Sequence, residues 1–198
     1  MNSFFKKTGN FIIFFFIVNV LWSQEHDIHS VKADGNGEHA EHGHASSHQI
    51  GLMLGHTHIS HGKNGDNGGN KWEALPSVTV LYNYWINPKW AIGLHTDIII
   101  ESFEVEKHLE TGEHEELERE YPVAPALMGI YKPGKHFSYM FGAGGEFAST
   151  EDLFLLRAET SYGVHIGKGF EFETSLSYDF RFNAYDSWGM GVGITKSL

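Results

Sequence analysis

The chain has 198 residues, a formal charge of −11 and no cysteine, which excludes disulfides, a thiolate nucleophile and a lipid-modified N-terminal cysteine. An acidic balance without a basic patch argues against nucleic acid as a partner. No apolar run reaches the roughly 18 residues that a membrane-spanning helix needs.

Residues 1–23 read as a secretory signal, with Lys6 and Lys7 ahead of an apolar core at 11–22 and then Ser23 and Gln24. That core is too short to serve as a spanning anchor. Cleavage beside Gln24 resembles the leaders of Bacteroidota-type bacteria. Residues 24–47 are dense in histidine (His26, His29, His39, His42, His44) and loosened by Gly35, Gly37 and Gly43. So little apolar surface cannot offset ordering entropy, which predicts a disordered tail.

From residue 48 onward the pattern has period two, the signature of strands with unlike faces. Strand one, 48–59, sets Ile50, Leu52 and Leu54 against Gln49, Gly51, Met53 and Gly55, with His56, His58 and His61 at its far end. A glycine-rich loop is expected at 60–71. Strand two, 72–84, points Val78, Val80, Tyr82 and Tyr84 outward. A short turn at 86–89 leads to strand three, where Trp90, Ile92 and Leu94 oppose Ala91, Gly93, His95 and Asp97.

Residues 101–120 hold nine glutamates against Lys107 and Arg119. Thr111-Gly112 marks a hairpin tip, so strands three and four are expected to continue as a ribbon beyond the membrane; a solvated helix is the alternative. Strand four, 121–131, contains Pro122 and Pro125, which cannot donate to a ladder. Like Pro76, they are expected near the outer ends of their strands, where a bulge is tolerated. After a turn at 132–135, strand five (136–147) sets Phe137, Tyr139 and Phe141 against Ser138, Met140 and Gly142. Strands six, seven and eight follow at 153–166, 170–181 and 187–195. One face of these carries Phe154, Tyr162, Phe172, Leu176 and Val192, while the other mixes charges with glycine.

Eight strands of about ten residues, short turns on one side and longer loops on the other, resemble the small eight-stranded outer-membrane β-barrel family. The resemblance covers residues 49–198 and includes the ending 187–195. It implies an all-β fold: an eight-stranded antiparallel up-and-down transmembrane β-barrel at 48–198, preceded by a signal peptide (1–23) and a His-rich periplasmic tail (24–47). It also implies an outer-membrane location, lipid and lipopolysaccharide as surroundings, and assembly by the barrel-assembly machinery. Family members usually finish on an aromatic residue; this chain finishes on Leu198. A secreted soluble barrel of the lipocalin type is the alternative. Glycines and opposite charges sharing one face, and Trp and Tyr near the strand ends, favour the membrane.

A barrel of eight strands is just wide enough for its side chains to fill, so no wide pore is expected. The predicted lumen holds Glu73, His95, Asp97, Glu101, Glu146, Arg157, Glu159, His165, Glu171, Glu173, Asp179 and Arg181. Arg157 and Arg181 are expected to pair with neighbouring carboxylates. The surplus acids would be protonated, hydrated or bound to a cation, since unpaired buried charge is costly. The resulting expectation is a structural or interaction role without enzymatic activity. The alternative is a divalent transition metal (zinc, copper or nickel) held by His39, His42, His44, His48, His56, His58 and His61, or limited cation transfer through the acidic lumen. Glu159, Ser161 and His165 share a face but lie too far apart along the strand for a triad, by roughly 7 and 13 Å. Gly142-Ala143-Gly144-Gly145 precedes no helix and is not a dinucleotide loop.

Overall fold

A computed structural model describes residues 48–63, 70–108, 114–182 and 184–198. The predicted signal, the tail and His39, His42 and His44 lie outside the described residues. Among the described residues there are ten strands: β1 (His48–Lys63), β2 (Asn70–Asn87), β3 (Trp90–Ile99), β4 (Phe103–His108), β5 (His114–Arg119), β6 (Val123–Tyr131), β7 (Phe137–Glu146), β8 (Leu153–Gly167), β9 (Phe170–Arg181) and β10 (Asp186–Ser197).

Eight of them close an antiparallel barrel in the order β1-β10-β9-β8-β7-β6-β3-β2. The closing seam pairs the first and last strands, from Gln49↔Ser197 to Ile59↔Ser187. The alternation of the sequence becomes two faces. Leu52, Leu54, Leu127 and Phe141 are exposed outside, while Met53, Met128 and Leu155 are buried within. This is the inverse of a soluble barrel and the arrangement of a membrane-spanning one. Aromatic side chains mark both ends of the outer surface. Trp90 packs on Tyr131 at the turn end, and Tyr178 on Trp188 at the loop end, each pair with ring centroids 4.6 Å apart.

The turns follow from local chemistry. At 86–89, Asn87 Oδ1 accepts hydrogen bonds from the backbone N–H of Lys89 (2.9 Å) and Trp90 (3.0 Å). At 167–169 the chain needs positive φ three times running, at Gly167 (102°), Lys168 (53°) and Gly169 (77°), and two of the three are glycine.

The structure corrects two expectations, the loop at 60–71 and the place of Pro76, and agrees with a third, the ribbon in the acidic segment. Much of the loop expected at 60–71 is strand: β1 and β2 run on to a Lys63↔Asn70 pair, past an irregularity after Ser60. Residues 103–108 and 114–119 of the acidic segment form the expected ribbon rather than the alternative helix, although it does not continue β3. Strands β4 and β5 pair from Phe103↔Arg119 to His108↔His114 as a two-stranded ribbon, a sheet separate from the barrel wall. Pro76 lies well inside the lengthened β2, opposite His56, rather than at its end. Its carbonyl accepts from Ile100 N just past the end of β3, so its ring nitrogen faces no ladder partner. Pro125 interrupts the β6–β7 ladder without shifting it: Val123↔Phe147 and Ala126↔Gly144 lie on either side in one register.

The interior has two apolar clusters with polar groups between them. One, at the loop end, joins Phe103, Val105 and Leu117 of the ribbon to Ile59, Leu75 and Ile99 of the wall. The other fills the wall of β6 and its neighbours with Ala126, Met128, Ile130 and Met140.

Candidate functional site: the lumen charge network

Strand geometry places the inward polar side chains in rows two residues apart along each strand, and barrel closure brings opposite walls within reach. Near the loop end, Arg119 of β5 donates to Glu146 of β7 from Nε (2.9 Å) and Nη2 (2.7 Å), with both side chains fully buried. Its Nη1 donates to the carbonyl of Glu151. Arg181 of β9 holds the other oxygen of Glu146 at 2.5 Å, and reaches Ser187 Oγ at 2.9 Å and Asp179 Oδ2 at 3.3 Å. Tyr185 donates its hydroxyl proton to Glu146 Oε1 at 2.6 Å.

Arg157 of β8 continues the chain inward. It clasps Asp179 through Nε and Nη2, both at 2.7 Å, and crosses to Asp97 of β3 at 2.8 Å. Asp97 also accepts from Thr79 Oγ1 at 2.6 Å. One row further toward the turn end, His95 and Glu159 make a second bridge between β3 and β8 at 3.1 Å. Because β6 and β7 stand between β3 and β8 in the wall, both bridges cross the lumen. A vestibule at the turn end is lined by Gln49, Asn83, Lys132, Ser138, Glu171 and Glu173. There Lys132 Nζ donates to Glu171 Oε1 at 2.9 Å.

Of the residues the sequence points to, Asp97, Glu146, Arg157, Asp179 and Arg181 meet in one network, His95 pairs with Glu159, and Glu171 and Glu173 line the vestibule. Glu101, His165 and Glu73 are exposed rather than enclosed. Glu101 lies two residues past the end of β3, and His165 lies beyond the last β7–β8 pair, Phe137↔Tyr162, next to the 167–169 turn, so neither lies inside the closed wall.

The described histidines of β1 do not converge. His48, at the turn end, faces Tyr82 Oη at 2.8 Å. His56 and His58 lie eight or more residues further along β1, roughly 27 Å at the usual rise. They share the outward face with Leu52 and Leu54, their rings edge to face with centroids 6.3 Å apart. His61 lies further along β1 still. Among the described residues, no group of three or more histidine or carboxylate side chains is placed to hold a metal ion.

Sequence reasoning missed Arg119, Tyr185, Asn83 and Trp85 as members of the interior. Arg119 carried a readable signal: it alternates in phase with Leu117, while Glu116, Glu118 and Glu120 take the other phase. An arginine in register with an apolar residue belongs to the inner face.

No protein-family model matches the chain, and no curated protein matches it. Among solved structures it is similar to Neisserial surface protein A, at 10% identity and a TM-score of 0.49, covering 77% of this chain and 98% of that one. It is also similar to the outer membrane protein OprG from Pseudomonas aeruginosa, at 12% identity and a TM-score of 0.49, covering 77% and 96%. A third is Ail, the attachment invasion locus protein of Yersinia pestis, solved with the heparin analogue sucrose octasulfate, at 12% identity and a TM-score of 0.46, covering 75% and 99%.

Proposed function

We propose that the chain is an outer-membrane β-barrel with a structural or interaction role: a rigid, non-conducting cylinder that holds an acidic ribbon outside the bilayer. The observation that carries this reading is the pair of lumen-crossing bridges, Arg157–Asp97 and His95–Glu159. Opposed charges are tied across the lumen in two successive rows, and opening either bridge would strand buried charge. Above them the ribbon lays Val105 and Leu117 over the loop end and turns Glu104 and Glu118 to solvent. Residues 1–23 would direct export, and both termini would face the periplasm. Lipid, lipopolysaccharide and the barrel-assembly machinery are the partners this reading requires. Reconstitution of the purified protein in planar lipid bilayers tests it. The expected result is no steady current above the bare membrane; a stable, protein-dependent conductance would overturn the non-conducting role.

A further inference from the structure

We infer that His95 stands in the lumen as an imidazolium, locked in that form by a chain of hydrogen bonds whose direction is set from its far end. The chain starts at Trp85, whose indole N–H can only donate. It points at Gln49 Oε1 from 3.3 Å, which identifies that atom as the amide oxygen. Gln49 Nε2 accordingly donates to Thr195 Oγ1 at 2.9 Å. The same Gln49 oxygen accepts from Asn83 Nδ2 at 3.1 Å. Asn83 must therefore turn its own oxygen the other way, where it lies 3.0 Å from His95 Nε2. An amide oxygen has no proton to give, so Nε2 is a donor.

The other ring nitrogen, Nδ1, lies 3.1 Å from Glu159 Oε2. One proton sits between them. An imidazole ordinarily holds a proton about two pH units more firmly than a carboxylate does. Glu159 also has the Arg157 guanidinium as a charged neighbour on its own strand. The proton therefore belongs to Nδ1, and with both nitrogens donating the ring is a cation. The charge count agrees. Arg119, Arg157, Arg181 and His95 stand against Asp97, Glu146, Glu159 and Asp179 in the ion pairs of the network, four of each sign. The surplus of acid expected from the sequence is met by Arg119 and His95. Glu171 is paired with Lys132 at the vestibule, and Glu173 lies between the vestibule and His95.

The consequence is a charged bridge between β3 and β8, imidazolium to carboxylate. The charged groups facing His95 are Glu159 and Arg157 of β8, Asp97 of β3 and Glu173 of β9. Strand β2 presents the neutral Asn83, and β6 the apolar Ala126. This holds whether or not the lumen conducts.

The test is nitrogen NMR of the folded full chain in detergent micelles, with the histidine rings labelled and His95 assigned through its backbone. At neutral pH both His95 ring nitrogens are expected in the protonated range. Trp85→Phe supplies the second arm. Without the indole donor, Gln49 and Asn83 can turn over and offer Nε2 an N–H. One ring nitrogen is then expected to shift to the unprotonated range at the same pH. An unprotonated nitrogen in the unaltered protein, or a Trp85→Phe spectrum identical to it, would overturn the inference.

Discussion

Arg119 and Glu146, 27 positions apart in the chain, meet through two hydrogen bonds in a fully buried pair that fastens the ribbon to the barrel wall. Arg119 is the last residue of β5 and Glu146 the last of β7, so the contact joins two separate sheets. The two partners are not equivalent. Glu146 keeps Arg181 and Tyr185 when Arg119 is removed, whereas removing Glu146 leaves two guanidinium groups facing each other. Breaking a buried pair costs about 3–5 kcal/mol. Arg119→Ala is expected at the lower end of that range and Glu146→Ala at the upper end, read from urea unfolding in lipid vesicles. The reverse order would mean that Glu146 is not the hub of the network.

Tyr185 gives the loop end a pH dependence of its own. It lies between β9 and β10, buried, with Arg181 4.4 Å over its ring. Burial, with the neighbouring Glu146 carboxylate adding to it, pushes the phenol well above its ordinary value of 10 and outweighs Arg181. A phenol held neutral in the folded state contributes stability below the unfolded pKa, and that stability is lost as pH rises past it. Unfolding midpoints should therefore fall above about pH 10, and Tyr185→Phe should flatten that fall. At neutral pH the same change costs roughly 1 kcal/mol, the worth of one hydrogen bond. An alkaline slope unchanged in Tyr185→Phe would assign the titration elsewhere.

The wall of the barrel is legible in the sequence because its cause is local. Alternation in 153–166 and 170–181 needs only the pleat, and the inward parity of Asp97, Arg157 and Asp179 follows from it. Which of those groups meet is not local. The contact of Arg157 with Asp97 depends on the stagger at which eight strands close, which no short stretch encodes. Parity also cannot say where the wall ends, so Glu101 and His165 have inward phase yet lie in the open. Arg119 is hidden by its neighbours: surrounded by glutamates, it reads as part of a solvated ribbon until its phase with Leu117 is considered. The glycine-rich run after Ser60 reads as loop because its residues favour turns, while pairing with Asn70 extends the strands regardless.

Glycine at the β6–β7 contact is a packing requirement at one site and not at another. A Cβ at Gly144 would run into the carbonyl oxygen of Pro125 and the Cα of Ala126. Backbone cannot step aside as a side chain can. At Gly129 the added atom would meet only the Phe141 carbonyl oxygen, at an ordinary 3.6 Å. Gly144→Ala is therefore expected to cost about 1–3 kcal/mol, as overpacking does. Gly129→Ala should be neutral or slightly stabilising. Refolding yield and the heat-dependent gel mobility of folded barrels would separate the two. Equal behaviour would mean that β6 and β7 are less closely apposed than described.

The outer surface yields the sharpest test of what surrounds the barrel. Leu127, midway along β6, is 63% exposed, and Ile86, at the end of β2 beside the turn, is 60% exposed. With such similar exposure, neither position has much packing to lose, and a difference between them has to come from the medium outside. In water, replacing either by arginine should change stability by no more than about 0.5 kcal/mol. In a bilayer the charge at mid-height costs about 2–4 kcal/mol, falling to roughly 0–1 near the interface. Leu127→Arg is thus expected to lower folding stability in lipid vesicles several times more than Ile86→Arg. Two small and equal effects would place water around the whole cylinder and reverse the sense of its inside and outside. The comparison is internal to one protein under one set of conditions, so lipid composition and denaturant cancel and only depth is left to separate the two variants.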